Sequence, residues 1–274
     1  MRHVIIVLIA LFSGHAALAA ECPVLGETGA PRLTGATAHT TIVCHAGYAA
    51  LEDNDLLVPR WVAYRLFATR TMGCLRPAGD FHAEETLPAG RRAEPEDYRR
   101  SGFDRGHLAP AEDFAFDAAL LSDSYSMANV VPQLPGLNRE GWERLEQTVR
   151  AWAWTRGDLA IFSGPVFTEQ VRTIGNGRIG VPSAFFKVIV DPEARDAIGF
   201  LMPQRYVAKG NLARWVVSIA EIEAKTGLVF PLPDGVDRQA RPLMWPADPG
   251  AWYRSRQQVC QALRQMPEIP AVAH

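Results

Sequence analysis

Lysine is scarce in this chain: of 28 basic side chains only Lys187, Lys209 and Lys225 are lysines, and the rest are arginines. Basic charge is not in excess either, since the formal net charge is -2 at pH 7. That excludes a protein that holds nucleic acid by bulk electrostatics, though not one with a local positive cleft. Arginine offers planar, bidentate donors to phosphate, but a GC-rich genome accounts for most of the bias. No two cysteines have C-x-x-C spacing, which argues against a zinc site. There is no H-E-x-x-H helix and no G-x-S-x-G elbow, which argues against a zincin or an α/β-hydrolase; Ser163-Gly164-Pro165 reads as a strand end. No low-complexity tract or internal repeat occurs. Beyond the first twenty residues no stretch is long and apolar enough to span a membrane.

Those first twenty residues have a pattern of their own. Arg2 and His3 precede an apolar run from Val4 to Phe12, and small residues follow to Ala17-Leu18-Ala19-Ala20. This is the layout of a secretory signal peptide, with cleavage after Ala19 or after Ala20. Lipidation of Cys22 fits less well, because Glu21 stands where a small residue belongs. The expectation is export to the periplasm or beyond, with residues 21–274 forming a single domain. All four cysteines (Cys22, Cys44, Cys74, Cys260) follow the leader. An even number in an exported chain suggests two disulfides, and three pairings are open. The alternative is four buried thiols. Hydrophobic content of 48% and charged content of 21% are ordinary for a globular protein.

Branched and aromatic runs predict strands at Thr40–Cys44, Tyr48–Leu51 and Trp61–Phe67. Arg76–Phe103, polar and rich in Pro and Gly, reads as a long surface loop, and such loops are often functional. Met127–Gln133 is predicted as a short strand. Trp142, Leu145, Val149 and Trp152 recur at three- and four-residue steps, so a helix is expected from Asn138 to about Trp154, with Asn138 as its N-cap. Strands follow at Leu159–Phe167, Ala184–Val190 and Ala197–Pro203. Helices are predicted at Leu212–Lys225, stopped by Gly227, and at Pro249–Arg264. Strands and helices do not alternate strictly, so the class is α+β.

Chemistry concentrates in two strings. The first is Asp104-Arg105-Gly106-His107-Leu108-Ala109-Pro110. Histidine is the commonest general base, an arginine beside it can neutralise a phosphate, and glycine permits close backbone approach. Taken alone, a histidine such as His107 is more often a satisfied structural residue. The second runs from Asn138 to Glu146. On an α-helix eight residues are about 80° of rotation and roughly 12 Å of rise. Both side chains can face one site, but they can hardly bind one ion directly. A single ligand at the helix start plus a carboxylate acting through metal-bound water suits magnesium, which keeps several waters. The bland reading is a capped amphipathic helix with solvated glutamates. His39, His45, His82 and His274 are scattered and read as surface residues.

Taken together and in order, these strings closely resemble the DNA/RNA non-specific endonucleases of the ββα-metal fold, a family with mitochondrial and secreted bacterial members. The match covers Ser101 to Pro110, resumes at Asn129-Val130-Val131-Pro132-Gln133, and continues through Leu137-Asn138 to Trp142 and Leu145-Glu146. Weaker agreement extends from Trp61 to the Ala220–Pro231 stretch. The resemblance implies a mainly antiparallel central sheet flanked by helices. It implies an endonuclease that cuts DNA and RNA to 5′-phosphate and 3′-hydroxyl ends with one hydrated Mg2+, for which Mn2+ can substitute. It implies His107 as general base, Asn138 as the direct metal ligand and Glu146 as the carboxylate that orients metal-bound water. Arg105 would contact the phosphate, with Arg76 a looser candidate for a second such arginine. Asn129 would support the site, and Asp104 would orient the loop. The alternative is a catalytically silent nucleic-acid-binding protein of the same fold. Homodimer formation and an inhibitor protein are both left open.

Overall fold

Runs that alternate between two buried sides decide where the strands lie. In Val58–Phe67, Trp61 and Ala63 belong to one apolar cluster, whereas Val62, Tyr64 and Leu66 belong to another. Ala184–Asp191 splits in the same way, with Phe186, Val188 and Val190 opposite Phe185 and Ile189. A strand buried on both faces must sit inside a sheet covered on both sides.

The structure, a computed structural model, describes residues 22–34, 39–176 and 178–265; residues 1–20, the expected signal peptide, lie outside them. The first half contains α1 (Pro23–Thr28), β1 (Arg32–Leu33), β2 (Thr40–Cys44), β3 (Tyr48–Asp53), β4 (Val58–Phe67), β5 (Asp104–His107), α2 (Ala118–Asp123) and β6 (Val130–Gln133). A π-helical turn at Leu137–Trp142 then leads into α3 (Glu143–Arg156). The remainder is β7 (Asp158–Val166), β8 (Arg172–Ile174), β9 (Ile179–Val181), β10 (Ala184–Asp191), β11 (Asp196–Pro203), β12 (Val216–Val217), α4 (Ile219–Thr226), β13 (Leu228–Val229) and α5 (Pro249–Gln265).

Seven strands form the central sheet in the order β12-β11-β10-β7-β4-β3-β2. Each pairing is antiparallel, so the fold is α+β. One face is covered by Trp142, Leu145, Val149 and Trp152 from the turn and α3. The other is covered by Val24 and Leu25 of α1, Ile219 and Ile222 of α4, and Phe230. Each fully buried large side chain contributes about 1.5–3 kcal/mol. β5 and β6 pair separately as an antiparallel ribbon beside α3. None of the described helices is long and apolar enough to cross a membrane.

Three expected elements differ. The Met127–Gln133 strand is confined to Val130–Gln133, because Ser126 accepts a hydrogen bond from Ala128 N and turns Met127–Asn129 into a 3-10 turn. The Leu212–Lys225 helix is broken. Val216 and Val217 prefer extended backbone and pair with the β11 edge, and Ser218 caps a new helix through Glu221 N. Asn138 is not an N-cap. Pro135 and Gly136 are already helical, and the side chain of Asn138 is used elsewhere.

The disulfides join Cys22 to Cys44 and Cys74 to Cys260. The second spans 186 residues and fastens α5 to the loop after β4, where Arg256 also donates to Gly73 O at 2.8 Å. Replacing Cys74 and Cys260 together by serine is expected to lower stability by about 2–5 kcal/mol. Denaturant unfolding checks this, and an unchanged midpoint would mean that packing alone holds α5.

Candidate active site

The Asp104–His107 strand owes its place to a missing side chain. A Cβ at Gly106 would collide with the side chain of Gln133, which lies diagonally across the ribbon, opposite Asp104. Only glycine lets β5 lie this close to β6. Pro132 is tolerated opposite Arg105 because both strands of a two-stranded ribbon are edges. A second close approach fixes the helix: a Cβ at Gly141 would strike Val207.

His107 ends β5 with its ring between Phe81 (centroids 5.0 Å apart) and the edge of Tyr125 (5.2 Å). Its Nε2 is shut off from solvent and has no partner among the described residues. Nδ1 is therefore the nitrogen available at the cleft. Burial in this aromatic setting disfavours the cation and lowers the pKa from 6.5 to about 4. A base must be neutral to act, so a lowered pKa extends the working range toward acid. Titration of the metal-free protein, followed by the His107 ring signals, is expected to give a midpoint near 4. A midpoint near the unshifted 6.5 would mean that the ring is hydrated.

The backbone around His107 is clamped. Asn129, fully buried, accepts from Ala109 N at 2.9 Å and donates to Ala109 O and Ser124 O, both at 2.8 Å. Its own carbonyl accepts from Leu108 N. Asn129 thus holds the segment that follows His107 and does not reach the cleft. Trp142 Nε1 makes a long contact of 3.4 Å with His107 O.

Asp104 organises the opposite wall. Its carboxylate accepts from Asn138 Nδ2 at 3.0 Å and from Arg139 Nε and Nη2 at 2.9 and 2.6 Å. This commits the amide nitrogen of Asn138 and leaves Oδ1 without a donor among the described residues. Arg105 donates to Pro95 O through Nη2 at 2.8 Å and lies 5.2 Å over the Phe81 ring. Phe81, Tyr98, Phe103, Asp104, Arg105, His107, Asn138 and Arg139 line one open cavity of about 440 Å³.

Two expected site residues are placed differently. Arg76 is exposed on the loop after Cys74 and is not among the cavity-lining residues; Arg139 is. Glu146 does not line the cavity. It is partly buried between α3 and the sheet, where burial pushes its carboxyl up while the charges of Lys187 and Arg150 pull it down. The sequence reading assigned no role to Arg139, Phe81, Tyr98 or Lys187. Arg139 stood inside the quoted string, but Phe81 and Tyr98 come from a loop without periodicity and carried no signal. Nor is His45 a loose surface residue: it is bonded to Glu84 at 2.8 Å. His274 lies outside the described residues.

Among the described residues no group of three or more His, Cys, Asp or Glu side chains could hold a metal. The residues present still fit a hydrated hard cation, since Asn138 Oδ1 is a free, oriented oxygen beside the Asp104 carboxylate.

Residues 31–239 match the family model for DNA/RNA non-specific endonucleases. The chain is 30% identical over 237 residues to mitochondrial endonuclease G of Bos taurus, covering 76% of this chain and 79% of that protein. It is 31% identical over 229 residues to mitochondrial nuclease EXOG of Homo sapiens, covering 77% of this chain. There it spans only 61% of the relative's length. The solved structure of an EndoG/EndoGI complex superposes with a TM-score of 0.66 at 26% identity, over 72% of this chain and 87% of that one. The mitochondrial names of these relatives overturn the expectation of a periplasmic or secreted protein. Family members are metal-dependent nucleases, and the large antiparallel sheet flanked by helices agrees with their α+β fold. By sequence and by fold alike, the chain belongs to the DNA/RNA non-specific endonuclease family.

Proposed function

We propose that the chain hydrolyses phosphodiester bonds in DNA and RNA, leaving 5′-phosphate and 3′-hydroxyl ends, with His107 as general base and one hydrated Mg2+ held by Asn138. The observation that carries this reading is the shared cavity of His107, Arg105 and Asn138. His107, neutral at working pH, takes a proton from the attacking water at Nδ1. Arg105, fixed by Pro95 O and Phe81, sets positive charge against the non-bridging oxygens. Asp104 holds the amide nitrogen of Asn138, so that Oδ1 is the atom that would bind the cation. When bound, the cation supplies Lewis-acid charge to the phosphate and the leaving 3′ oxygen. Glu146, expected from the resemblance to orient metal-bound water, lies outside the cavity lining and takes no direct part in this reading.

Plasmid DNA and RNA incubated with Mg2+ are expected to be degraded, and a chelator is expected to abolish the reaction. Mn2+ is expected to restore it in part. End-labelling of the products is expected to find 5′-phosphates. Binding without cleavage under Mg2+ would favour a silent nucleic-acid-binding protein instead.

A further inference from the structure

Lys187 is fully buried in the middle of the sheet. Alternation along β10 puts it on the side of Phe185 and Ile189, the face covered by α3. An ammonium taken out of water costs several kcal/mol unless it is well partnered, so a methionine would be the simpler filling. The partners are specific. Nζ donates to Ser163 Oγ at 2.6 Å, its register neighbour on β7, and to Leu108 O at 3.1 Å. It also lies 4.8 Å over the Trp142 ring. Leu108 follows His107, and Trp142 reaches His107 O from the turn that carries Asn138. One buried side chain therefore touches both the strand bearing the base and the helical turn bearing the metal ligand.

We propose that Lys187 is a positioning residue for the cleavage step, holding the backbone beside His107 in register with the helical turn that carries Asn138. The proposal rests on the reading of His107 as general base. The surroundings support it. Glu146, one turn beyond Trp142, exchanges charge with Lys187, and Arg150, Asp113 and Glu112 complete the group. Arg150 is paired with Asp113 at 2.8 Å and Glu112 at 3.1 Å, and Tyr64 donates to Asp113 at 2.8 Å. Burial pulls the Glu146 carboxyl up to about 8 and the Lys187 ammonium down to about 8, and the attraction between the two offsets part of that shift. Loss of the lysine would free the Leu108 carbonyl and unbalance the carboxylate together.

The test uses Lys187→Met and Lys187→Gln in the full chain. It measures kcat and KM on a duplex oligonucleotide with Mg2+ and the ring-nitrogen signals of His107 by NMR. Lys187→Met is expected to lower kcat by about 10–100-fold, the range typical of a group that positions a functional side chain from behind. KM is expected to stay unchanged and the His107 signals to shift. Lys187→Gln, which keeps a donor for Leu108 O, is expected to lose less. In a His107→Ala background, Lys187→Met is expected to add no further loss. Wild-type kcat with an unshifted His107 spectrum, or a loss confined to KM, overturns the proposal. Should Lys187→Met fail to fold, Lys187→Gln decides on the same two readouts. Full activity in His107→Ala alone would instead sink the reading of His107 beneath it.

Discussion

His107→Ala is expected to cut plasmid and RNA cleavage by roughly 10²–10⁴-fold, the usual contribution of a positioned general base. The prediction is strong because the cavity offers no substitute. Phe81, Tyr98 and Phe103 cannot accept a proton, Arg105 and Arg139 are cations, and Asp104 is fully engaged with Asn138 and Arg139. Loss of fold is a separate matter. The imidazole leaves a gap between Phe81 and Tyr125, but its Nε2 gives up no hydrogen bond. The cost is the lost packing on Phe81 and Tyr125 plus the cavity, with no hydrogen bond added to it. Melting temperature and far-UV circular dichroism should therefore stay close to wild type while turnover collapses. A variant that cleaves at the wild-type rate would end the assignment of the base. A variant that unfolds is answered by His107→Gln, which fills the gap and cannot act as a base.

Much of this was legible in the chain, for reasons that can be named. The sheet could be read because β4, β7, β10 and β11 are mostly apolar runs of eight or more residues, buried almost throughout. The strings around His107 and Asn138 could be read because rare residue types stand in fixed order. β5 could not. Asp104-Arg105-Gly106-His107 has no strand propensity, and it is extended because Gly106 fits beneath Gln133, a contact made across the ribbon. The expected 80° between Asn138 and Glu146 assumed an unbroken α-helix. The π turn at Leu137–Trp142 changes that phase, and Glu146 faces the sheet and Lys187 instead of the cavity wall. The aromatic cage of His107 was invisible for a different reason. Phe81, which packs on the ring with Tyr125, belongs to a polar loop whose course is set by single contacts such as Glu84 with His45 and Ser126, and no period in sequence reports those.

Asn138→Ala is expected to reduce cleavage by more than about 100-fold at millimolar Mg2+, since on the proposed reading it removes the one protein oxygen that binds the ion directly. Asp104→Ala separates ligation from orientation. Asp104 never needs to touch the ion, yet it accepts from Asn138 Nδ2 and anchors Arg139 in the same carboxylate. Its removal lets the amide rotate, so Oδ1 and Nδ2 exchange places and the donor end faces the cation part of the time. A loss of about 10–100-fold is expected, and raising the metal concentration should recover much of it, because ligation is weakened and not abolished. Asn138→Ala should not recover in that way. Cleavage rates across a Mg2+ titration distinguish the two behaviours. Equal rescue of both variants would mean that Asn138 is one more orienting group and that the ion is held elsewhere. Rescue of Asp104→Ala alone would establish the order of dependence: carboxylate, then amide, then cation.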